Sequence, residues 1–128
     1  MACFREFLNE DFSLTLTLFG KRRVTLTDGA TPALNAALGS HFVLTASGNR
    51  TIAVPTNPRD MQLIVIEHKA SGADRTLSLN TGTGGFAYPD DIPALTATLS
   101  GKTDKILCEY NVTANKWFVV SYLKGLTI

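Results

Sequence analysis

Apolar and polar positions alternate with a period of two over most of this chain, the mark of strands half buried in a sheet. The clearest case runs from Phe12 to Phe19, where Phe12, Leu14, Leu16 and Leu18 take one face and Ser13, Thr15 and Thr17 the other. Gly20, Lys21, Arg22 and Arg23 interrupt it, and three adjacent cations discourage continued pairing. Beyond that break eight short strands are expected, at about Val24 to Thr27, His41 to Ala46, Thr51 to Val54, Gln62 to His68, Thr76 to Leu79, Leu95 to Leu99, Lys105 to Tyr110 and Lys116 to Leu123. Turn chemistry separates them: Asp28-Gly29, Ser47 to Asn49, Ser71-Gly72, Gly82 to Gly85, Pro89 to Asp91, Ser100-Gly101 and Thr113 to Asn115. Pro55 and Pro58 lack the amide donors a continuing strand needs, so the sheet pauses there. Only Pro32 to Leu38 suggests a short helix, ended by Gly39.

Many short strands and almost no helix predict an all-β fold, an antiparallel β-sandwich of jelly-roll type. Residues 1–22 form an extended N-terminal arm and residues 23–128 the sandwich body. Gly48-Asn-Arg-Thr-Ile and Ala73-Asp-Arg-Thr-Leu share an Arg-Thr pair followed by alternating apolar residues, which suggests two related hairpins. The run Lys116 to Leu123 is apolar on both faces, so that strand is expected to be central and covered on both sides. The arm is the segment whose pattern points beyond its own fold. An extended, alternating segment can add to a neighbour's sheet and bring main-chain bonds plus a row of side chains. Phe4, Phe7, Leu8, Phe12, Leu14, Leu16, Leu18 and Phe19 are the expected contacts to a partner or subunit.

Composition narrows the function classes. The 128 residues suit one domain with a real core, and abundant threonine favours sheet. A formal charge of +1 gives no reason to expect nucleic acid or an anionic membrane as partner. No run reaches the roughly 18 apolar residues of a membrane span, and the N-terminus lacks the features of a signal peptide. The chain is therefore expected to be made and used without Sec export. Cys3 and Cys108 lie far apart with no Cys-x-x-Cys spacing; Cys108 shares a face with Ile106 and Tyr110, as a small buried hydrophobe would.

Catalytic and ligand-binding patterns are weak throughout. Asp90 and Asp91 open an ordinary turn after Pro89, and adjacent strand residues point apart. His41 and His68 are single, and strand-edge or interface roles are expected for both. Ser47, Ser71 and Ser100 neighbour glycines without the Gly-x-Ser-x-Gly frame, and Gly82 to Gly85 precedes no helix and is expected to be a flexible loop. Arg50 and Arg75 are expected to brace turns or pair with a neighbouring subunit, and Trp117, Phe118 and Tyr122 to pack rather than bind sugar. No catalytic residue, cofactor or metal ligand is assigned, and no enzymatic activity is expected.

A series of short stretches resembles a compact β domain that recurs in virion proteins of tailed bacteriophages, in tail fibres and capsid surface proteins. They run in order from Val24-Thr-Leu-Thr-Asp28 through Ala37-Leu-Gly39, Gly48-Asn-Arg-Thr-Ile52, Pro55-Thr-Asn-Pro58, Arg75-Thr-Leu77, Asp91-Ile-Pro93, Lys102-Thr-Asp104 and Tyr110-Asn111 to Lys116-Trp-Phe-Val-Val120 and Lys124-Gly125. The resemblance implies a non-enzymatic structural or attachment module, often a homotrimer, located on the particle and present in the bacterial cytoplasm during assembly. Because the domain nearly fills the chain, the expected role is a capsid decoration protein bound to the major capsid protein or another virion protein. The alternative is a tail fibre or tail-tip domain that binds a host surface receptor.

Overall fold

The computed structural model describes Arg22 to Ile128. Among the described residues the chain is all-β, with eight strands and no helix: β1 (Arg23–Thr25), β2 (His41–Ala46), β3 (Arg50–Ile52), β4 (Leu63–Ala70), β5 (Leu77–Leu79), β6 (Phe86–Ala87), β7 (Thr103–Asn111) and β8 (Lys116–Leu126). Six strands form one sheet in the order β1-β2-β4-β7-β8-β6, and β3 pairs with β5 in a second, smaller layer. The expected arm, residues 1–22, lies outside the described residues but for Arg22.

The antiparallel expectation needs correction. Only β4–β7 and β7–β8 pair antiparallel, whereas β1–β2, β2–β4, β3–β5 and β6–β8 run parallel. The parallel pairs arise because the chain crosses between the two layers at every step. From β1 it passes to residues 30–36, returns as β2, crosses as β3, returns as β4 and crosses again as β5. Residues 30–36 run beside β3, with Thr51 N donating to Ala30 O (3.1 Å), Ala53 N to Pro32 O (3.1 Å) and Ala36 N to Thr56 O (2.8 Å). Three turns of chain are thus stacked like a short coil, and the β7–β8 hairpin then caps the sheet.

Two further expectations change for the same reason. Pro32, Leu34 and Ala36 are buried while Ala33 and Ala37 are exposed, a period of two, and their backbone is consumed by β3. Main-chain pairing with a neighbour therefore overrides the helix that the alanines favour. The two Arg-Thr stretches are not separate hairpins; Arg50 and Thr51 open β3, Arg75 and Thr76 lead into β5, and the two strands lie side by side with Arg50 opposite Leu77. The expected strand at Leu95 to Leu99 is reduced to isolated bridges at Thr98 and Ser100.

Both layers contribute to one core. Phe42, Leu44, Ile64, Ile66, Ile106, Cys108, Trp117 and Val119 from the large sheet meet Leu34, Ile52, Leu77 and Leu79 from the small layer, with Phe86 of β6 also buried. Every second residue of β2, β4 and β7 points inward, as their alternation requires. Cys108 is free and wholly buried, and burial pushes its thiol up to about 12, which makes it an inert packing residue. At the β7–β8 turn Asn115 adopts a left-handed conformation (φ 50°), and its Oδ1 accepts from the Tyr110 hydroxyl at 2.6 Å.

Candidate functional site

The most distinctive surface is the outer face of the large sheet over β4, β7 and β8. Leu63, Phe118, Val120 and Leu123 expose 39%, 37%, 54% and 55% of their surface there. Beside them Val65, Lys105, Leu107, Ser121 and Leu123 line an open groove of about 200 Å³. The expected double-sided burial of the last strand is therefore corrected: β8 buries Trp117 and Val119 on one side and leaves the other to solvent. A bulge explains why its sequence misleads. Cys108 faces Val119 while Leu107 faces Ser121, so Val120 is an extra residue and the alternation changes phase. Tyr122 then turns toward the core, against its sequence parity.

This apolar face borders a compact ionic cluster. Glu67 is buried on the outer side, with its Oε1 2.7 Å from His41 Nε2, 3.2 Å from Lys105 Nζ and 3.8 Å from Arg23 Nη2. Burial raises its pKa, but the hydrogen bonds from His41 and Lys105 outweigh that and hold it below the ordinary carboxylate range. His41, expected at a strand edge or interface, sits on β2 inside the sheet and serves as a partner of Glu67.

His68 is a clearer correction, because it is fully buried on the inner face of β4. Its Nδ1 lies 2.8 Å from Thr98 Oγ1, and Thr98 Oγ1 donates to Asp104 Oδ2 at 2.6 Å. Asp104 also accepts from Lys124 Nζ (2.7 Å) and from Gly125 N (2.8 Å). A histidine, a hydroxyl and a carboxylate in line invite comparison with a nucleophilic triad, but the proton order is wrong. Thr98 has one proton and gives it to Asp104, so His68 Nδ1 must be the donor to Thr98 rather than the base that activates it. His68 Nε2 is buried without a hydrogen-bond partner among the described residues, and Thr98 is as buried as His68. The chain His68–Thr98–Asp104–Lys124 therefore acts as a structural tie: His68, Thr98 and Asp104 are buried, and only Lys124 at its end reaches solvent.

Burial lowers the pKa of His68; for Asp104 burial acts upward but is outweighed by Lys124, Thr98 and the Gly125 amide, leaving it lowered. Both shifts have the same consequence in acid. The unfolded chain takes up protons at His68 near about 6.5 and at Asp104 near about 4, before the folded form does. The stability each group contributes is complete above those values and is lost as the pH falls toward the folded pKa. Urea midpoints are expected to be level above neutral pH and to fall from about pH 6.5 downward. The variant His68→Gln should flatten the upper part of that fall; an unchanged midpoint between neutral and acidic pH in the parent would contradict the assignment.

The turn residues are equally occupied. Asp28 accepts from Arg50 Nε (2.7 Å) and Nη2 (3.0 Å), and from the amide (3.1 Å) and hydroxyl (2.9 Å) of Ser47. The Arg50 guanidinium holds the Asp28 carboxyl well below its usual range. Asn49 Oδ1 accepts from Thr76 N, and Arg75 Nε donates to Ser71 O, so each corner is pinned to its own turn or to the next. Gly82 to Gly85, expected to be a flexible loop, is a tight turn whose carbonyls at Thr81 and Gly82 receive Lys116 Nζ. Among the described residues no three His, Cys, Asp or Glu side chains converge as metal ligands would.

Comparison with known proteins gives no family. No family model, no curated protein and no solved structure matches the chain. Of the expected interface residues, Phe4, Phe7, Leu8, Phe12, Leu14, Leu16, Leu18 and Phe19 all lie outside the described residues. The outer face of β8 was missed by sequence reasoning; the one signal for it was a strand apolar on both faces, which fits exposure to a partner as well as burial. The His68–Asp104 connection was not read from the sequence; the one signal for it is that both residues keep the inward parity of Ile64, Ile66, Ile106 and Cys108.

Proposed function

We propose that this chain is a non-enzymatic structural protein of a bacteriophage virion, a capsid decoration protein that assembles as a homotrimer on the particle surface. The observation that carries the reading is the exposed apolar outer face of β4, β7 and β8, where Leu63, Phe118, Val120 and Leu123 are open to solvent and Val65, Leu107 and Leu123 line a shallow groove. Contiguous apolar surface of this kind marks a protein contact more often than a small-molecule site. The ordered resemblance of the body's short stretches to phage virion domains supplies the class of assembly. The buried polar residues support the same reading, since His68, Thr98 and Asp104 act within the fold.

The mechanism is additive. Covering one half-exposed aliphatic or aromatic side chain contributes about 1 kcal/mol before ordering costs. Many symmetric copies on a shell then gain avidity, so each needs only modest affinity. The N-terminal arm carries the second set of apolar contacts. Deleting residues 1–19 is expected to leave a folded body that no longer co-sediments with particles from the host. A truncated protein that still decorates particles at the parent's level would overturn the anchoring role. Binding of the purified protein to host cells instead of particles would identify a receptor-binding tip.

A further inference from the structure

The large sheet is closed unevenly at its β8 side. β6 pairs with β8 only at Trp117 and Phe118, and Pro89, without an amide proton, follows two residues after its end. Beyond Val119, whose amide completes the parallel ladder with Ala87, no residue of β8 from Val120 to Leu126 has a strand partner on that side among the described residues. The opposite edge of the sheet, β1, is only three residues long. A long strand edge flanked by exposed Val120 and Leu123 is a template for another strand.

We propose that this edge receives the segment Phe12 to Phe19 of a second copy of the chain, so that copies are joined by exchange of their N-terminal arms. Three observations select that occupant. First, the lengths agree to within one residue: the open edge runs from Val120 to Leu126, seven residues, and the alternating segment from Phe12 to Phe19, eight. Second, the chemistry agrees: the stripe Phe12, Leu14, Leu16 and Leu18 extends the apolar outer face beside Val120 and Leu123, and Ser13, Thr15 and Thr17 take the opposite side. Third, the chain's own arm is too short to serve its own edge. The described chain starts at β1, and the far side of β8 lies five strand spacings away in the order β1-β2-β4-β7-β8, about 24 Å. Gly20, Lys21 and Arg22 join the segment to β1, and three residues span at most about 11 Å. The arm must therefore come from a neighbour. A head-to-tail exchange of this kind makes a closed ring, such as a trimer, where the rotation between copies closes, and an open filament where it does not.

The inference rests on the arm being an assembly element, and its test uses purified protein without particles. The full chain, the arm variant L16E and the edge variant V120K/L123K are compared by native mass spectrometry. The full chain is expected to be trimeric and each variant monomeric with an unchanged circular dichroism spectrum. Mixing the variants is decisive, because L16E keeps a working edge and V120K/L123K keeps a working arm. Their mixture is expected to give a one-to-one heterodimer that does not grow further. A trimer retained in L16E, or no heterodimer on mixing, would overturn the exchange; direct β8–β8 pairing between copies would give the latter result. Arm-dependent trimers that fail to decorate particles would refute the virion reading alone. Decoration that continues with trimers indifferent to L16E would refute the exchange alone.

Discussion

Asp104→Ala is expected to lower the unfolding free energy by about 3 kcal/mol, among the largest effects of any polar substitution in this chain. Asp104 sits where β7 begins, with both oxygens engaged: Oδ1 by the Gly125 amide, Oδ2 by Thr98 Oγ1 and Lys124 Nζ. Removing the carboxylate leaves a buried hydroxyl and an amide without acceptors and breaks the link from His68 to β8. Breaking a buried ion pair costs about 3–5 kcal/mol, and the partial exposure of Lys124, which can turn to water, keeps this case near the lower end. Thr98→Val, which removes the intermediate hydroxyl and keeps the shape, should cost less. Urea denaturation followed by Trp117 fluorescence reads both; a loss under about 1 kcal/mol for Asp104→Ala would show that the cluster is not a structural tie.

The second large effect is expected at a residue with no functional group. A methyl on Gly85 would stand 2.2 Å from the Asn80 carbonyl oxygen and 2.9 Å from that of Gly82, both main-chain atoms. The turn has little freedom to open. Gly85 N donates to Gly82 O, Phe86 N to Asn80 O and Trp117 N to Gly85 O, each at 2.8 Å. These bonds set β6 against β8 and place Phe86 and Trp117 in the core. Gly85→Ala is expected to cost about 4 kcal/mol, or roughly 10–15 °C in melting temperature, if it yields soluble protein at all. Gly29 is the matched control, since a methyl there meets nothing within 4 Å. Gly29→Ala should stay within about 0.5 kcal/mol of the parent. Equal melting temperatures for the two variants would mean that the turn is free to adjust.

The strands were largely legible because alternation records burial residue by residue. His41 to Ala46 was located to the residue, and β4, β7 and β8 were located to within a few. Pairing was not legible, for a physical reason. Turns such as Ser47 to Asn49 look alike whether the next strand folds back beside the last or crosses to the other layer. The offset that decides, Ala46 opposite Ala70 and Arg50 opposite Leu77, lies in contacts distant in sequence. β6, at two residues, is too short for a period to be recognised. The bulge at Val120 reverses the phase of β8 midway, so strict alternation does not show that Tyr122 shares the inner side with Trp117 and Val119. The polar core was hidden for another reason. A histidine in an apolar run marks a strand, and only the fold supplies Thr98, from a loop, and Asp104, from the neighbouring strand β7, as its partners.

The central claim is that the outer face and open edge of β8 form a contact between copies of this chain. Native mass spectrometry of the full chain at micromolar concentration tests it most directly. A trimer that falls to monomer when Val120 and Leu123 become lysine is the expected result. A full-length protein that is monomeric at that concentration, or a trimer that these two lysines leave intact, would contradict it.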